Sequence, residues 1–190
     1  MSIITRALAA KGGKTVPAAP DTISIRPLAP DDDVEALTGM LHRAYAALGA
    51  MGLNYTAVDQ TPEVTRKRIG YGVGLVAVET GGRIVGTLAF YAPIGPDGPQ
   101  WLTPWLRRPD VARLGQFGVE PALQKRGIGS RLMAAIEDMA RAAGAREIAL
   151  DTAEPALHLI DWYGRRGYRF IEYAQWEGKR YRSVILSKTL

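Results

Sequence analysis

Residues Gly118–Gly129 read GVEPALQKRGIG and connect a predicted strand to a predicted helix. Glycines in such a turn leave backbone N–H groups uncovered, and the first turn of a helix carries a partial positive charge. Lys125, Arg126 and Arg131 add cationic side chains nearby. The stretch therefore predicts a turn that can bind a phosphate or pyrophosphate group.

Two well-known phosphate-binding turns do not fit this stretch. A Walker A loop needs Gly-Lys-Ser or Gly-Lys-Thr, and the one such tripeptide, Gly13–Thr15, has Leu8 where the first glycine should stand. The dinucleotide fingerprint needs a glycine or alanine three residues after Gly129, where the chain has Leu132. A tight strand-to-helix turn without a ligand stays open as an alternative at this point.

The composition is typical of one globular domain. The chain has 190 residues, of which 47% are hydrophobic and 23% are charged, and its net charge is +5. We predict a single domain over residues 22–190, preceded by a flexible tail over residues 1–21 that is basic and contains glycines and prolines. The positive net charge favours an anionic partner without identifying it.

Residue counts exclude several kinds of site. The chain has no cysteine, so disulfides, thiolate metal sites and cysteine nucleophiles are excluded. Its two histidines, His42 and His158, lack the spacing of metal ligands, and we predict no metal. No apolar run is long enough to span a membrane, and the N-terminus lacks the pattern of a signal peptide, so we expect a cytoplasmic protein.

Hydrophobic periodicity predicts the element order β-α-α-β-β-β-α-β-α-β-β, a mixed α/β sheet of about seven strands with about four helices on both faces. Thr61 and Pro62 predict the cap and the first turn of the second helix. Residues 80–82 predict a hairpin turn between two strands. Residues 92–110 contain five prolines and are predicted to form a long loop.

A second pattern lies downstream, where Leu157–Tyr168 reads LHLIDWYGRRGY after a predicted strand. Together with Gln124–Gly129 it resembles the GNAT superfamily of acyl-CoA N-acyltransferases: the glycine turn is similar to that family's motif A, and Tyr163–Tyr168 is similar to its motif B. Ile25–Leu28 also resembles the family's first strand and turn, and the element order fits over residues 22–190. The resemblance implies a GNAT-like fold with a central, mostly antiparallel twisted sheet.

The resemblance implies an N-acetyltransferase that transfers an acetyl group from acetyl-CoA to a primary amine by direct attack in a ternary complex. The backbone of Phe117 and Val119 would pair with the pantetheine arm of CoA. A bulge near Gly118 would separate this strand from Glu147–Asp151 and admit that arm. The residues implied for the pyrophosphate turn are Gln124, Lys125, Arg126, Gly127, Ile128, Gly129 and Ser130.

The resemblance also implies that Tyr163 protonates the departing CoA thiolate, because a phenol with a pKa of about 10 can donate a proton at neutral pH. An ordinary core aromatic is the alternative for this residue. Glu120 is the first candidate for the base that accepts the proton of the amine, and a solvated carboxylate or a helix-dipole partner is its alternative. Glu79 and Asp151 are further candidates for the base.

The acceptor pocket is expected between residues 45–62, the loop 92–110 and the last hairpin. The aromatic residues available for its walls, or for ordinary packing, are Tyr45, Tyr55, Trp101, Trp105 and Trp176. The acceptor is expected to carry an amine, on a small molecule or on a peptide or protein, and a homodimer is left open. Neither nucleic acid nor a membrane is expected as a partner. A non-catalytic sensor or scaffold that binds CoA or another phospholigand is the alternative function.

Overall fold

The computed structural model describes residues 23–190, which form an open sheet of seven strands flanked by four helices. The predicted tail, residues 1–21, lies outside the described residues. The strands are β1 (Ser24–Pro27), β2 (Val73–Val78), β3 (Ile84–Tyr91), β4 (Val111–Val119), β5 (Glu147–Ala153), β6 (Arg169–Ala174) and β7 (Ser183–Thr189). The helices are α1 (Val34–Ala50), α2 (Pro62–Gly70), α3 (Ile128–Ala142) and α4 (Leu157–Gly164).

The strands lie in the order β1-β2-β3-β4-β5-β7-β6. Every neighbouring pair is antiparallel except β4 and β5, which are parallel. A parallel pair needs a long crossover connection, and α3 provides it. The predicted fold class, a mixed and mostly antiparallel sheet of seven strands, is confirmed.

Helices cover both faces of the sheet. Leu75 and Ala77 of β2 belong to the core cluster that contains α3, whereas Val76 and Val78 belong to the cluster that contains α1. This division follows from the two-residue period of a strand. Leu132 of α3 is fully buried against the sheet, and its truncation to alanine would cost about 2–5 kcal/mol.

Side-chain caps set where α1 and α2 begin. The predicted start of α2 is confirmed: Thr61 accepts a hydrogen bond from the Val64 N–H, and Pro62 occupies the first turn. Asp33 accepts the N–H of Ala36 at the start of α1 in the same way. Both caps place an oxygen on an N–H group that the helix itself cannot satisfy.

Two boundaries near the C-terminus differ from what the local sequence indicates. Pro155 is typical of the first turn of a helix, but α4 begins two residues later, at Leu157. A turn comes first, in which the Ala156 N–H donates to the Ala153 carbonyl at 2.9 Å. β7 extends to Thr189, further than its apolar pattern indicates, because it pairs with β5 along that strand's whole length.

Candidate active site

The site forms where β4 and β5 separate. The two parallel strands pair over Val111–Arg113 and Glu147–Ala149, and the pairing stops there. Further along β4, the Glu120 N–H donates to the neighbouring strand β3 at 2.9 Å. Successive residues direct their backbone groups to opposite edges of a strand, so those of Val119 and Phe117 face the gap towards β5.

The bulge that we predicted near Gly118 lies at Gln116. The register between β3 and β4 shifts at this point, and Gln116 has a φ of 49°, which residues other than glycine rarely adopt. Gly118 has a different role. A Cβ there would lie 3.1 Å from Leu41, so the absence of a side chain allows α1 to pack directly on β4.

The turn between β4 and α3 leaves backbone N–H groups uncovered. Gly127 precedes the helix with a φ of 83° and supplies no side-chain cap. The Arg131 N–H makes the first bond of the helix, to the Gly127 carbonyl at 3.0 Å, so the N–H groups of residues 128–130 have no partner within the helix. A row of free N–H groups at a helix N-terminus is suited to bind a pyrophosphate.

Gly129 keeps the start of α3 close to β4. A Cβ at this position would lie 3.1 Å from the Phe117 ring and 3.7 Å from Val119. Gln124 turns back to the same strand and donates its Nε2–H to the Val119 carbonyl at 3.2 Å. The glycine turn and the edge of β4 that faces the gap therefore lie side by side.

A cavity of about 540 Å³ joins this turn to the gap between β4 and β5. Among the predicted cofactor-binding residues, Arg126 is exposed in the turn and lies outside the cavity wall. The predicted residues that line the cavity are Phe117, Val119, Gln124, Lys125, Gly127, Ile128, Gly129 and Ser130.

Tyr163 forms part of the cavity wall. Only 7% of the residue is exposed, and its ring packs edge-on against that of Trp162, with 5.1 Å between the centroids. Burial raises the pKa of the Tyr163 phenol well above its ordinary value, and the neighbouring Tyr45 and Tyr55 add to the effect. The hydroxyl, which is protonated at neutral pH already at its ordinary pKa, therefore stays protonated in the cavity and is a weaker acid than a free phenol.

Arg166 is a cavity residue that the sequence analysis did not single out. Its guanidinium lies 3.3 Å from the centroid of the Trp162 ring and donates a hydrogen bond to Ser130 Oγ at 2.9 Å. Since Ser130 stands in the first turn of α3, Arg166 adds positive charge beside the uncovered N–H groups. The four-residue spacing of Trp162 and Arg166 is a sequence signal for this stack.

The structure places Glu120, the first candidate for the general base, outside the cavity wall. The residue is 7% exposed, and its carboxylate accepts hydrogen bonds from Arg43 of α1, the shortest at 2.8 Å. These bonds lower the pKa of Glu120 and make it a weaker base. Strand alternation explains the outcome, because Glu120 points towards α1 whereas Val119 points towards α3. Glu79 forms an ion pair with Arg83, also outside the cavity wall.

Asp151 is a carboxylate that the structure does bring to the cavity. It lies on β5 just beyond the residues that pair with β4. Trp176 Nε1 and Ser183 Oγ donate to its Oδ2 at 2.8 and 3.1 Å, which fixes the orientation of the carboxylate. After burial, the charges of nearby groups, Asp151 among them, contribute to the raised pKa of Tyr163. Asp151 and Tyr163 both line the cavity.

Tyr45 and Tyr55 form an aromatic wall beside the gap, with ring centroids 5.5 Å apart. The Tyr45 hydroxyl donates to the Phe117 carbonyl at 2.9 Å. The Tyr55 hydroxyl forms a hydrogen bond with Thr152 Oγ1 at 2.8 Å and accepts a hydrogen bond from the Ala153 N–H at 2.7 Å. The two tyrosines therefore connect α1 and the segment after it to both strands that border the gap.

The tryptophans that we considered for the pocket lie outside the cavity wall. Trp101 is 69% exposed and packs edge-on against Trp176, with 6.1 Å between the centroids. Trp105 lies beneath the guanidinium of Arg108, 4.3 Å from its ring centroid. Trp176 affects the cavity indirectly, through its hydrogen bond to Asp151.

None of the helices between residues 23 and 190 has the length and apolar character needed to cross a membrane. The side chains of the same residues bring together no group of three or more potential metal ligands.

The sequence and the fold assign the chain to a family. Residues 50–168, more than half of the chain, match the Acetyltransferase (GNAT) family, and the protein therefore belongs to that family. No curated protein matches the chain by sequence.

Solved structures share the fold. A GNAT family acetyltransferase from Elizabethkingia anophelis with acetyl-CoA bound is 16% identical, with a TM-score of 0.61 over 90% of this chain and 100% of that one. The ribosomal-protein-S18-alanine N-acetyltransferase from Escherichia coli is 14% identical, with a TM-score of 0.64 over 88% of this chain and 94% of that one. A GCN5-related N-acetyltransferase from Kribbella flavida is 18% identical, with a TM-score of 0.61 over 88% of this chain and 98% of that one. The GNAT-like fold predicted from the sequence is confirmed.

Proposed function

We propose that the protein is an N-acetyltransferase that transfers an acetyl group from acetyl-CoA to a primary amine within a ternary complex. The observation that carries the proposal is the continuous cavity between the glycine turn and the pair Tyr163 and Asp151. It joins a site suited to a pyrophosphate with a proton donor and a carboxylate.

The residues of the cavity fit acetyl-CoA from one end to the other. The N–H groups of residues 128–130, together with Lys125 and Arg166, match the charge of a pyrophosphate. The backbone groups of Phe117 and Val119 offer hydrogen bonds to the amides of a pantetheine arm in the gap. When bound, acetyl-CoA would supply a thioester, whose carbonyl carbon is open to attack by an amine.

The transfer requires one proton to leave the amine and one to reach the sulfur. A bond forms between the amine nitrogen and the carbonyl carbon while the carbon–sulfur bond breaks. We assign the proton on the nitrogen to Asp151, acting directly or through one water, and the proton on the sulfur to the Tyr163 hydroxyl. Because the chain has no cysteine, a cysteinyl acyl-enzyme is not available, and direct attack is the simplest route.

The test is an assay of CoA release with acetyl-CoA and a panel of primary amines, with the acetylated amine identified by mass spectrometry. We expect CoA and acetylated amine to appear in equal amounts, in proportion to the enzyme concentration. Heat-inactivated protein serves as the blank. Binding of acetyl-CoA without acetylation of any amine would support the sensor or scaffold alternative and contradict the proposal.

A further inference from the structure

Three cationic side chains lie on the face of the sheet that α1 and α2 cover, and none has a carboxylate partner within residues 23–190 at ion-pair distance. Arg68 belongs to α2, Arg113 belongs to β4, and Lys179 belongs to the connection between β6 and β7. Partly buried cations without an anion are costly unless a ligand supplies the charge. Their neighbours indicate which ligand that is.

Arg113 is the cation nearest to the point where β4 and β5 separate. Its Nε is buried without a hydrogen-bond partner, and its guanidinium lies 5.4 Å from the centroid of the Tyr91 ring. Burial lowers the pKa of Arg113. The Tyr91 hydroxyl donates to the Arg68 carbonyl at 3.1 Å, so the aromatic ring links Arg113 to the helix that carries Arg68.

A chain of amides connects Arg68 to the bulge of β4. Arg68 Nη1 donates to Gln60 Oε1 at 2.9 Å, and Gln60 Nε2 donates to Gln116 Oε1 at 3.3 Å. Gln116 is 3% exposed, yet its Nε2 has no partner, and its φ of 49° is unfavourable. An unpaired buried donor on a strained residue calls for an explanation, and a bound acceptor group is one.

Lys179 packs against the segment that connects α1 and α2. Its Nζ donates to the Asn54 carbonyl at 2.7 Å and to Thr56 Oγ1 at 3.0 Å. Burial lowers the pKa of Lys179, the charge of Arg68 lowers it further, and the charge of Asp151 opposes both. The amino group is therefore close enough to both Arg68 and Asp151 to feel their charges.

The strand register brings Arg113 and Asp151 to one face of the sheet. Arg113 pairs with Ala149 across β4 and β5, and Asp151 follows Ala149 by two residues on the same face of β5. Arg68, Arg113 and Lys179 lie outside the cavity wall, and Asp151 is the member of this set that reaches it.

We propose that the acceptor is an amino acid or a close analogue, whose amine lies towards Asp151 while its carboxylate is bound by Arg68 and Arg113. Lys179 adds to the positive field. The inference rests on the proposed function, since it names the substrate class of the same site. An amine with a second positive charge, such as a polyamine, would be repelled by the same three cations.

The first experiment compares matched pairs of acceptors. Each amino acid is tested beside its amide, which keeps the side chain, removes the negative charge and lowers the pKa of the amine, so rates are compared at equal concentrations of free amine. We expect kcat/KM to be about 10- to 100-fold higher for the acid, because charge-assisted hydrogen bonds are lost with the amide. Equal values for acid and amide would overturn the inference and leave the transferase proposal intact.

Variants test which residues bind the carboxylate of the acceptor. Arg68→Met and Arg113→Met should each reduce the preference of acid over amide towards one, with the affinity for acetyl-CoA unchanged. Lys67→Met is the matched control, since Lys67 is the exposed neighbour of Arg68 on the same helix. A purely structural role would lower both rates together and leave the preference as it is, which would contradict the assignment.

A binding measurement separates this inference from the proposed function. N-acetyl amino acids and the matching N-acetyl amino acid amides are titrated calorimetrically into the protein with CoA present. Tighter binding of the N-acetyl amino acids than of their amides would support the anion site. It would do so even if the assay with the amine panel showed no acetylation and the transferase proposal failed. Failure of both acids and amides to bind would count against the anion site.

Discussion

Arg43 of α1 holds Glu120 at the end of β4 through a bidentate ion pair, with 2.8 Å between Nη2 and Oε2. The pair ties the helix to the strand and occupies the carboxylate that the sequence analysis favoured as the base. Its partners differ in exposure, since the Arg43 side chain is 56% exposed and that of Glu120 only 9%. We therefore expect Glu120 to contribute to stability more than to chemistry.

Glu120→Gln should lower the free energy of unfolding by about 1–2 kcal/mol at neutral pH, because one buried charged acceptor is removed. The hydrogen bonds from Arg43 lower the pKa of Glu120 below its usual 4.5, so this stability is present above that value and is lost as the pH falls through the folded pKa. Urea denaturation between pH 7 and pH 3 checks it. Glu35→Gln, in a pair with two exposed partners, is the control and should change little. A large loss of turnover in correctly folded Glu120→Gln would restore it as the base.

Asp151→Asn should reduce kcat/KM by about 10²–10⁴-fold, because the amide cannot accept the proton of the amine. The deficit should shrink at higher pH, where more of the amine is already deprotonated in solution. A pH–rate profile of variant and parent provides the measurement. Asp138→Asn is the control, since that side chain is 77% exposed on α3. A deficit that does not depend on pH would indicate that Asp151 only orients the acceptor.

Tyr163→Phe should lower kcat by about 10²–10⁴-fold while the affinity for acetyl-CoA stays nearly unchanged. The ring still packs against Trp162, and only the proton for the departing sulfur is lost. Acyl donors with a more acidic leaving thiol should show a smaller deficit. The surface variant Tyr173→Phe should have normal kinetics. An unchanged kcat where chemistry limits turnover would mean that water or another group protonates the sulfur.

Arg166→Met should weaken acetyl-CoA binding by about 10-fold, because one charge-assisted contact to a phosphate is removed. Arg165→Met is a closely matched control, since the adjacent Arg165 forms an ion pair with Asp161 of α4 in which both side chains are exposed. Titrations at several salt concentrations should give a shallower salt dependence for Arg166→Met. Equal affinities for the two variants would remove Arg166 from the proposed phosphate site.

Local sequence signals predicted the elements of this fold well. Thr61 and Pro62 marked the start of α2, and the glycine turn marked the boundary between β4 and α3, because caps and turns depend on residues adjacent in sequence. The order of the strands followed from short apolar runs bounded by turn residues, as at residues 80–82 between β2 and β3.

The parts of the site that depend on distant residues could not be predicted in this way. Nothing near Glu120 in sequence reveals that Arg43 captures its carboxylate, and the two residues are 77 positions apart. Asp151 was only a further candidate, because its place beside the cavity depends on where the pairing with β4 stops.

The most direct test of the account is a titration of acetyl-CoA into the protein and into Gly129→Asp, followed by calorimetry and by thermal unfolding. A side chain at Gly129 meets the Phe117 ring at 3.1 Å and would bring a negative charge to the uncovered N–H groups. Gly70→Asp is the matched control, since a Cβ there meets nothing within 4 Å. We predict that acetyl-CoA at about 100 times its Kd stabilises the parent and the control by about 2.7 kcal/mol and leaves Gly129→Asp unaffected. Equal stabilisation of Gly129→Asp, or none of the parent at millimolar ligand, would contradict the account.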